Sequence, residues 1–470
     1  MNPPTDRPGR PGAGRPAPRE PAASAQPAGR ARPSGSRADG TGGRRPSGGG
    51  KPVPRPRTAA AGTARAADAA DATDTARDTA RTAGAPGGAG RITGVDVARG
   101  VALLGMVATH VYPPFTGRDA DGEPVLSFAH TVAAGRAAAA FAVLAGVALI
   151  LSTGRLTAPQ AWATTFARAL GIGAIGLGLG YLDSGIAVIL VYYAMLFLLA
   201  IPLLRAPAWV LVTVAVGAAT AVPVASHFIR NGLEVANLDS PTFTHLATEP
   251  GQLLLKLCLA GFYPALAWLA YLCTGMALAR ADLRSRQVAV RLVVGGLALA
   301  ATASLLSWLL LGPLGGRSEL ADPAPVAGVG PTPVEYFIDA GLYGTTPTDS
   351  LWWLAVDTPH SSTPFDLAHT TGTALALLGV ALLASHLPLL RPLAAVGAMT
   401  LTWYTVHVAA MSSSVLPADP ARSYLLQILV ALALAALWRA TGRKGPAEAA
   451  IAALSRAARR LTPSRGAAAG

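Results

Sequence analysis

The chain has 470 residues, 51% of them hydrophobic and only 13% charged, with a net charge of +13 and a mean hydropathy of +0.42. Soluble proteins carry about 25% charged residues, so roughly half the usual charge is missing, which excludes an ordinary water-soluble domain and favours repeated apolar spans of about 20 residues. The basic excess lies in the tails and short loops, where it orients helices and meets anionic membrane lipid, so no nucleic acid is needed as a partner.

Residues 1–90 are Arg, Pro, Gly, Ala and Ser with almost no large apolar side chain. They cannot bury enough surface to offset ordering entropy and are predicted to form a disordered cytoplasmic tail, with at most a fraying helix over residues 64–82. They hold no apolar core of a cleavable signal peptide.

From residue 91 to 440 the hydropathy predicts an all-α, polytopic membrane helix bundle of about ten transmembrane helices. The spans lie near 94–112, 131–153, 161–181, 185–204, 208–228, 253–279, 288–312, 365–385, 390–411 and 421–440. Residues 441–470 read as a basic cytoplasmic tail. The connections alternate in charge. One set carries Arg155, Arg168, Arg205, Arg280, Arg284, Arg286, Arg291 and Arg391, and the other carries Asp119, Asp121, Asp183, Asp239, Glu249, Glu319, Asp339 and Asp349. Basic loops stay in the cytoplasm, which predicts a multi-pass protein of the cell membrane with both termini inside.

The first span holds Asp96, Arg99 and His110 at positions that share a helical stripe with Leu103 and Met106. Asp96 and Arg99, three apart, are close enough to pair. His110 lies about 16 Å further along the axis than Arg99, by helical rise. Ionisable groups at this depth are expensive against lipid, so the stripe should face other helices or a wet cavity. A structural ion pair near the interface is the plainer alternative for Asp96 and Arg99.

Arg136 lies about two turns inside the second span and needs an acceptor, which Asp357, Asp366 or an anionic substrate group could supply. The third span is rich in glycine (Gly171, Gly173, Gly176, Gly178, Gly180), a signal of close helix packing and not of a nucleotide loop. Cys258 and Cys273 fall in one predicted helix about 22 Å apart by helical rise, too far to bridge. No cluster of Cys and His has metal-ligand spacing.

The 313–364 connection, with Tyr336, Phe337, Tyr343, Trp352 and Trp353, reads as an ordered cap at the outer interface. The densest polar run then enters the eighth span through His360, Asp366 and His369, a candidate substrate-binding set; helix capping is the alternative role for Asp366. In the ninth span Tyr404 and His407 share a face, and an imidazole beside a hydroxyl suits proton transfer. Of the eight histidines only His386 falls on the inner side.

The stretch Arg91-Ile-Thr-Gly-Val-Asp96-Val-Ala-Arg99-Gly100 resembles the opening of the heparan-α-glucosaminide N-acetyltransferase-like membrane proteins. Gly135-Arg136 to Gly146, Trp352 to Asp366 and Gly445-Pro-Ala-Glu448 are similar to the bacterial branch of that family, and the resemblance covers about residues 91–460. It implies a multi-pass acyltransferase that takes acetyl-CoA from the cytosol and acetylates a sugar or envelope-glycan acceptor on the opposite side. A histidine after the first span is implicated in the family, and here both His110 and His130 flank that stretch. Transacylation needs a base and a group to stabilise the carbonyl oxygen. The expected catalytic set is His110 as base, Arg136 as anion or carbonyl partner, and Tyr404 and His407 in support. Asp96 and Arg99 would organise the cytosolic mouth near the CoA phosphates. One cavity lined by 99, 110, 136 and 407 would favour this reading. A transporter of an envelope precursor or small solute, or a non-catalytic scaffold, are the alternatives, and the sequence leaves oligomerisation open.

Overall fold

A computed structural model describes residues 91–470, except 123, 232, 234–238, 321–333 and 463–470. The predicted tail over residues 1–90 lies outside the described residues. The chain is overwhelmingly helical, and its only described strands form one short antiparallel hairpin, Phe115–Arg118 with Pro124–Leu126.

Among the described residues, ten apolar helices follow the predicted order. They are α1 (Thr93–Val111), α2 (Arg136–Thr153), α3 (Ala158–Leu179), α4 (Leu190–Ala200), α5 (Ala208–Arg230), α6 (Ala265–Leu278), α7 (Arg286–Leu311), α8 (Pro364–Ala384), α9 (Thr400–Met411) and α10 (Pro420–Ala440). Among the described residues, seven helices are long and apolar enough to cross a membrane. The number rises to nine if each of two bent pairs, Pro250–Ala260 with α6 (54°) and Pro388–Gly397 with α9 (70°), makes one span. Helix α4 is a shorter apolar helix.

Local chemistry sets several starts. Thr157 and Gln160 form a reciprocal capping box at α3, and Asp419 accepts from the Arg422 amide at α10, followed by Pro420 at the first helical position. At α8, Thr363 accepts from the Asp366 amide at 3.1 Å.

Helix α2 runs through the centre of the core, with Ala139, Ala142, Val143, Val147 and Leu149 fully buried. Small residues let its neighbours approach: a Cβ on Gly275 of α6 would lie 1.8 Å from the Val143 carbonyl oxygen, and one on Gly146 2.1 Å from that of Leu272. The glycines of α3 act likewise, Gly176 against Val191 of α4 and Gly171 against Ile451. By contrast α5, α7 and α10 expose Trp209, Val216, Phe228, Leu297, Trp308, Leu429 and Leu437, the kind of surface that lipid covers.

The basic loops gather at one end. Arg205 donates to the Leu156 carbonyl, and Arg280 donates to those of Leu204 and Ala206, both at 3.0 Å. The described part of the 313–364 connection buries its own cluster of Leu320, Phe337, Leu342, Trp353 and Val356. The segment whose composition reads as a basic tail contains a further helix, α11 (Pro446–Arg460), with Ile451 and Ser455 buried and Arg456, Arg459 and Arg460 on its course. Both cysteines are free.

Candidate active site

Helices α1 to α4, α9 and α11 enclose a cavity of about 370 Å³. At the end carrying the basic loops its wall holds Arg99, Arg168, Ser152, Glu448 and Ser455. At the opposite end it holds His110, Gly135, Ala187, Tyr263 and His360. Between them the wall is mostly apolar, with Ala138, Phe141, Ala145, Ile172, Leu190 and Phe197 beside Tyr193 and Tyr404. By helical rise on α1, the Arg99 and His110 ends are about 16 Å apart.

The Arg99 end is cationic. Arg99 donates to the Leu144 carbonyl at 3.2 Å, and Arg168 donates to the Ser152 hydroxyl at 3.1 Å. Among the described residues neither guanidinium is ion-paired. The expected Asp96–Arg99 pair does not form: Asp96 pairs with Arg91 at 2.5 Å, at the first turn of α1. The backbone of Asp96 packs under Gly397, and its side chain does not line the cavity. Spacing allowed either partner, and the rotation of α1 that turns Arg99 toward α2 leaves Asp96 to Arg91.

Glu448 is the carboxylate at this end, and its acceptors are used. It takes the Leu401 amide at 2.7 Å, the Thr402 amide at 3.2 Å and the Thr402 hydroxyl at 2.5 Å. These amides are orphan donors at the start of α9, so a side chain from α11 caps a helix it is not part of.

At the other end two imidazoles stack. The rings of His110 (α1) and His407 (α9) lie 5.2 Å apart at 7°, with His110 Nδ1 and His407 Nε2 at 3.0 Å. His407 is buried, and its Nδ1 lies 2.7 Å from the Gln427 amide oxygen on α10. The Gln427 nitrogen donates to Ser423 at 3.4 Å, which leaves its oxygen as the acceptor. The hydrogen-bonding capacity of His110 Nδ1 is thereby used, and Nε2 is the nitrogen left for the cavity. Tyr404 lines the cavity too, but its hydroxyl accepts from the Ile189 amide at 3.2 Å and makes no bond to His407.

His360 reaches the same end from the loop before α8. Its φ of 59° and that of Ser362, 52°, are left-handed conformations uncommon for residues with a side chain, held by surrounding packing. Phe262 and Tyr263 pack edge-on to the His360 ring at 5.4 and 5.7 Å. Burial, with His130 close by, pushes the His360 imidazole down to about 4. His130 itself is bound to Ser127 at 3.1 Å and does not line the cavity.

Arg136, His369 and Asp366 are brought together elsewhere. Arg136 Nε donates to His369 Nε2 at 3.1 Å. His369 Nδ1 is 2.7 Å from the Ser304 hydroxyl, which donates to Asp357 at 2.6 Å. This chain joins α2, α8, α7 and the loop before α8, and neither Arg136 nor His369 lines the cavity. Asp366, fully within the α8 start, accepts the Ser362 amide at 2.9 Å. Of positions 99, 110, 136 and 407, then, two line the cavity, His407 stands behind His110, and Arg136 turns away.

Arg168, Gln427 and Ser304 carry parts of this geometry that sequence reading passes over. Arg168 reads as one more basic-loop residue. Gln427 is visible as a polar interruption in an otherwise apolar span. Among the described residues no group of three or more His, Cys, Asp or Glu side chains could hold a metal ion.

Residues 91–313 match the family model described as heparan-alpha-glucosaminide N-acetyltransferase, catalytic. Over this segment the chain is similar to the heparan-α-glucosaminide N-acetyltransferase-like family. No curated protein matches it. The match begins at Arg91 and closes just after α7, so Arg99, His110, Arg136 and Arg168 lie inside the acetyltransferase-like segment. His360, Tyr404, His407, Gln427 and Glu448 lie beyond it, yet Tyr404, His360 and Glu448 complete the same cavity wall. The acetyltransferase-like segment therefore encloses only part of the site, and the loop before α8, helix α9 and helix α11 supply the rest.

Proposed function

We propose that the chain is an integral membrane acyltransferase that moves an acetyl group from cytosolic acetyl-CoA to a sugar or envelope-glycan acceptor on the other side of the cell membrane. On this reading all ten apolar helices cross the bilayer, with the basic loops and both termini in the cytoplasm, and the 313–364 connection caps the outer end. The observation that carries it is the cavity itself, cationic at the end of the basic loops and imidazole-lined about 16 Å away by helical rise.

The residues suit the donor. Arg99 and Arg168, with no carboxylate bound to either, would hold phosphate groups at the cytosolic mouth, and the apolar middle would take the long uncharged arm. Bound acetyl-CoA supplies an activated acyl carbonyl. His110 Nε2 accepts the proton that the acceptor amine or hydroxyl loses as it attacks, and holds it for return to the departing sulfur. His407 orients the His110 ring by stacking and by the Nδ1 contact. His360 and Tyr263 offer an aromatic wall for a sugar ring, and Asp366 and His369 shape the loop and helix behind it. Asp96, bound to Arg91, fixes the start of α1, and Arg136 stiffens the outer end through His369.

The test is His110→Ala in vesicles with the basic-loop face outward, supplied with labelled acetyl-CoA outside and hexosamines inside. Losing a general base costs about 10²–10⁴-fold in rate. A folded His110→Ala protein that transfers acetyl groups at the wild-type rate would overturn the assignment.

A further inference from the structure

The His110–His407 stack ends in a side chain outside the set that spacing singles out. Gln427, on α10, presents its amide oxygen to His407 Nδ1 at 2.7 Å, while its amide nitrogen is committed to Ser423 at 3.4 Å. An amide oxygen can only accept, so His407 Nδ1 carries a hydrogen. The ring is buried, and among the described residues neither imidazole bonds to a carboxylate, so an imidazolium there would lack compensation. In the neutral ring Nε2 is then bare. It accepts from His110 Nδ1 across the 3.0 Å contact, and a neutral His110 with its hydrogen on Nδ1 has a bare Nε2.

We propose that Gln427 is a positioning residue for the transfer reaction: by fixing the tautomer of His407 it fixes that of His110, and leaves the cavity-facing nitrogen able to accept a proton. The inference rests on the reading of His110 as the base. Helix α1 and the consecutive helices α9 and α10, far from it in sequence, are required to set one hydrogen. The orienting partner of a catalytic histidine is usually a carboxylate or a carbonyl. Here an amide does the same work without placing a charge at this depth, where a carboxylate would be costly.

Removing the acceptor reverses the chain. In Gln427→Met the Nδ1 hydrogen of His407 has no partner, and moving it to Nε2 keeps the one contact to His110, now with His407 donating, while removing the orphaned buried N–H. His110 Nδ1 must then accept, its own hydrogen moves to Nε2, and the nitrogen facing the cavity becomes a donor. Gln427→Glu keeps an acceptor at the same reach.

The experiment compares Gln427→Met, Gln427→Glu and Ser423→Ala with wild type in detergent and in vesicles, after thermal melting has shown each folded. Two readouts are taken: kcat and KM for acetyl transfer, and the rate at which diethyl pyrocarbonate, which attacks an unprotonated imidazole nitrogen, labels His110 by peptide mass spectrometry. Expected for Gln427→Met are a kcat lower by about 10²-fold or more with KM little changed, and labelling of His110 slowed at least about tenfold. Gln427→Glu stays within about tenfold on both readouts, and Ser423→Ala, which frees the Gln427 amide nitrogen, falls between wild type and Gln427→Met. Equal labelling of His110 in wild type and Gln427→Met overturns the proposal. So does an equal loss in the Met and Glu variants. Because labelling needs no substrate, a wild-type protein without transfer activity would refute the acyltransferase reading, and the labelling rates would still decide the role of Gln427.

Discussion

Removing the Glu448 carboxylate should loosen the ninth helix without touching the bundle around it. Glu448 accepts from the Leu401 amide at 2.7 Å, the Thr402 amide at 3.2 Å and the Thr402 hydroxyl at 2.5 Å, and the Ala447 amide donates back to Thr402 at 3.1 Å. A hydrogen bond to a charged group contributes about 1.5–3 kcal/mol, and losing a helix cap alone costs about 0.5–2 kcal/mol. The three bonds share one carboxylate, and the cavity beside them can admit water to the freed amides, so the contributions do not add. About 2–3 kcal/mol is expected for Glu448→Ala, and about 1 for Glu448→Gln, which keeps one acceptor oxygen. The assay is reversible denaturation in mixed micelles, with Thr402→Val and the double variant completing a cycle. Because the pair is in direct contact, the two single losses should exceed the double loss. A Glu448→Ala protein within about 0.5 kcal/mol of wild type, or strict additivity with Thr402→Val, would refute the reasoning.

Arg168→Ala should raise the KM for acetyl-CoA about 10- to 100-fold, the loss of one charge-assisted phosphate contact, with kcat little changed; a matching rise for CoA as competitor in initial-rate measurements checks it. For His360, whose imidazole is held down to about 4 against 6.5 for an ordinary one, the folded chain binds a proton less readily than the unfolded chain. Stability at this site is therefore greatest above pH 6.5 and falls as the pH drops toward 4. Melting temperatures across that window should decline less for His360→Asn, a residue that tolerates the left-handed backbone at this position; an equal decline would remove His360 as a cause.

Much of the architecture is legible in one dimension because lipid imposes it. Seven of the ten apolar windows reappear as single helices long enough to span, two as bent pairs and the window at 185–204 as a shorter helix, since backbone polar groups leave a spanning segment few other conformations. Where hydropathy averages over 20 residues it misses breaks. The 70° bend between Pro388–Gly397 and α9 falls at Ala398 and Met399, inside an apolar run, just after Gly397 packs against the Asp96 carbonyl. Helix α11 is obscured for the opposite reason: its inner face is small, Ile451, Ala452 and Ser455, so its composition of Ala and Arg reads as a solvated tail.

The site was legible residue by residue but not in its grouping. His110, Arg99, Tyr404 and His360 stand out as polar groups at expensive depths, and all four line one cavity. Arg136 and His369 stand out equally, yet they satisfy each other and Ser304 in a separate chain ending at Asp357. Nothing in the spacing distinguishes the two groups, because which face of α2 looks inward depends on rotations fixed by Gly146 and Gly275.

The break before α9 also bears on how charge is distributed along the cavity. It places a helix start, with its amides and positive dipole end, beside Arg99 and Arg168. Glu448 answers the helix start and is fully engaged there, so the two guanidiniums remain the available charges at that end. The opposite end offers imidazoles and aromatic rings. A transport path would need its cargo to be accepted and released at both ends, whereas this wall is chemically one-sided. An anionic head held at one end and proton transfer at the other is what a donor with phosphates and a distant reactive carbonyl requires, and that asymmetry favours transfer over passage.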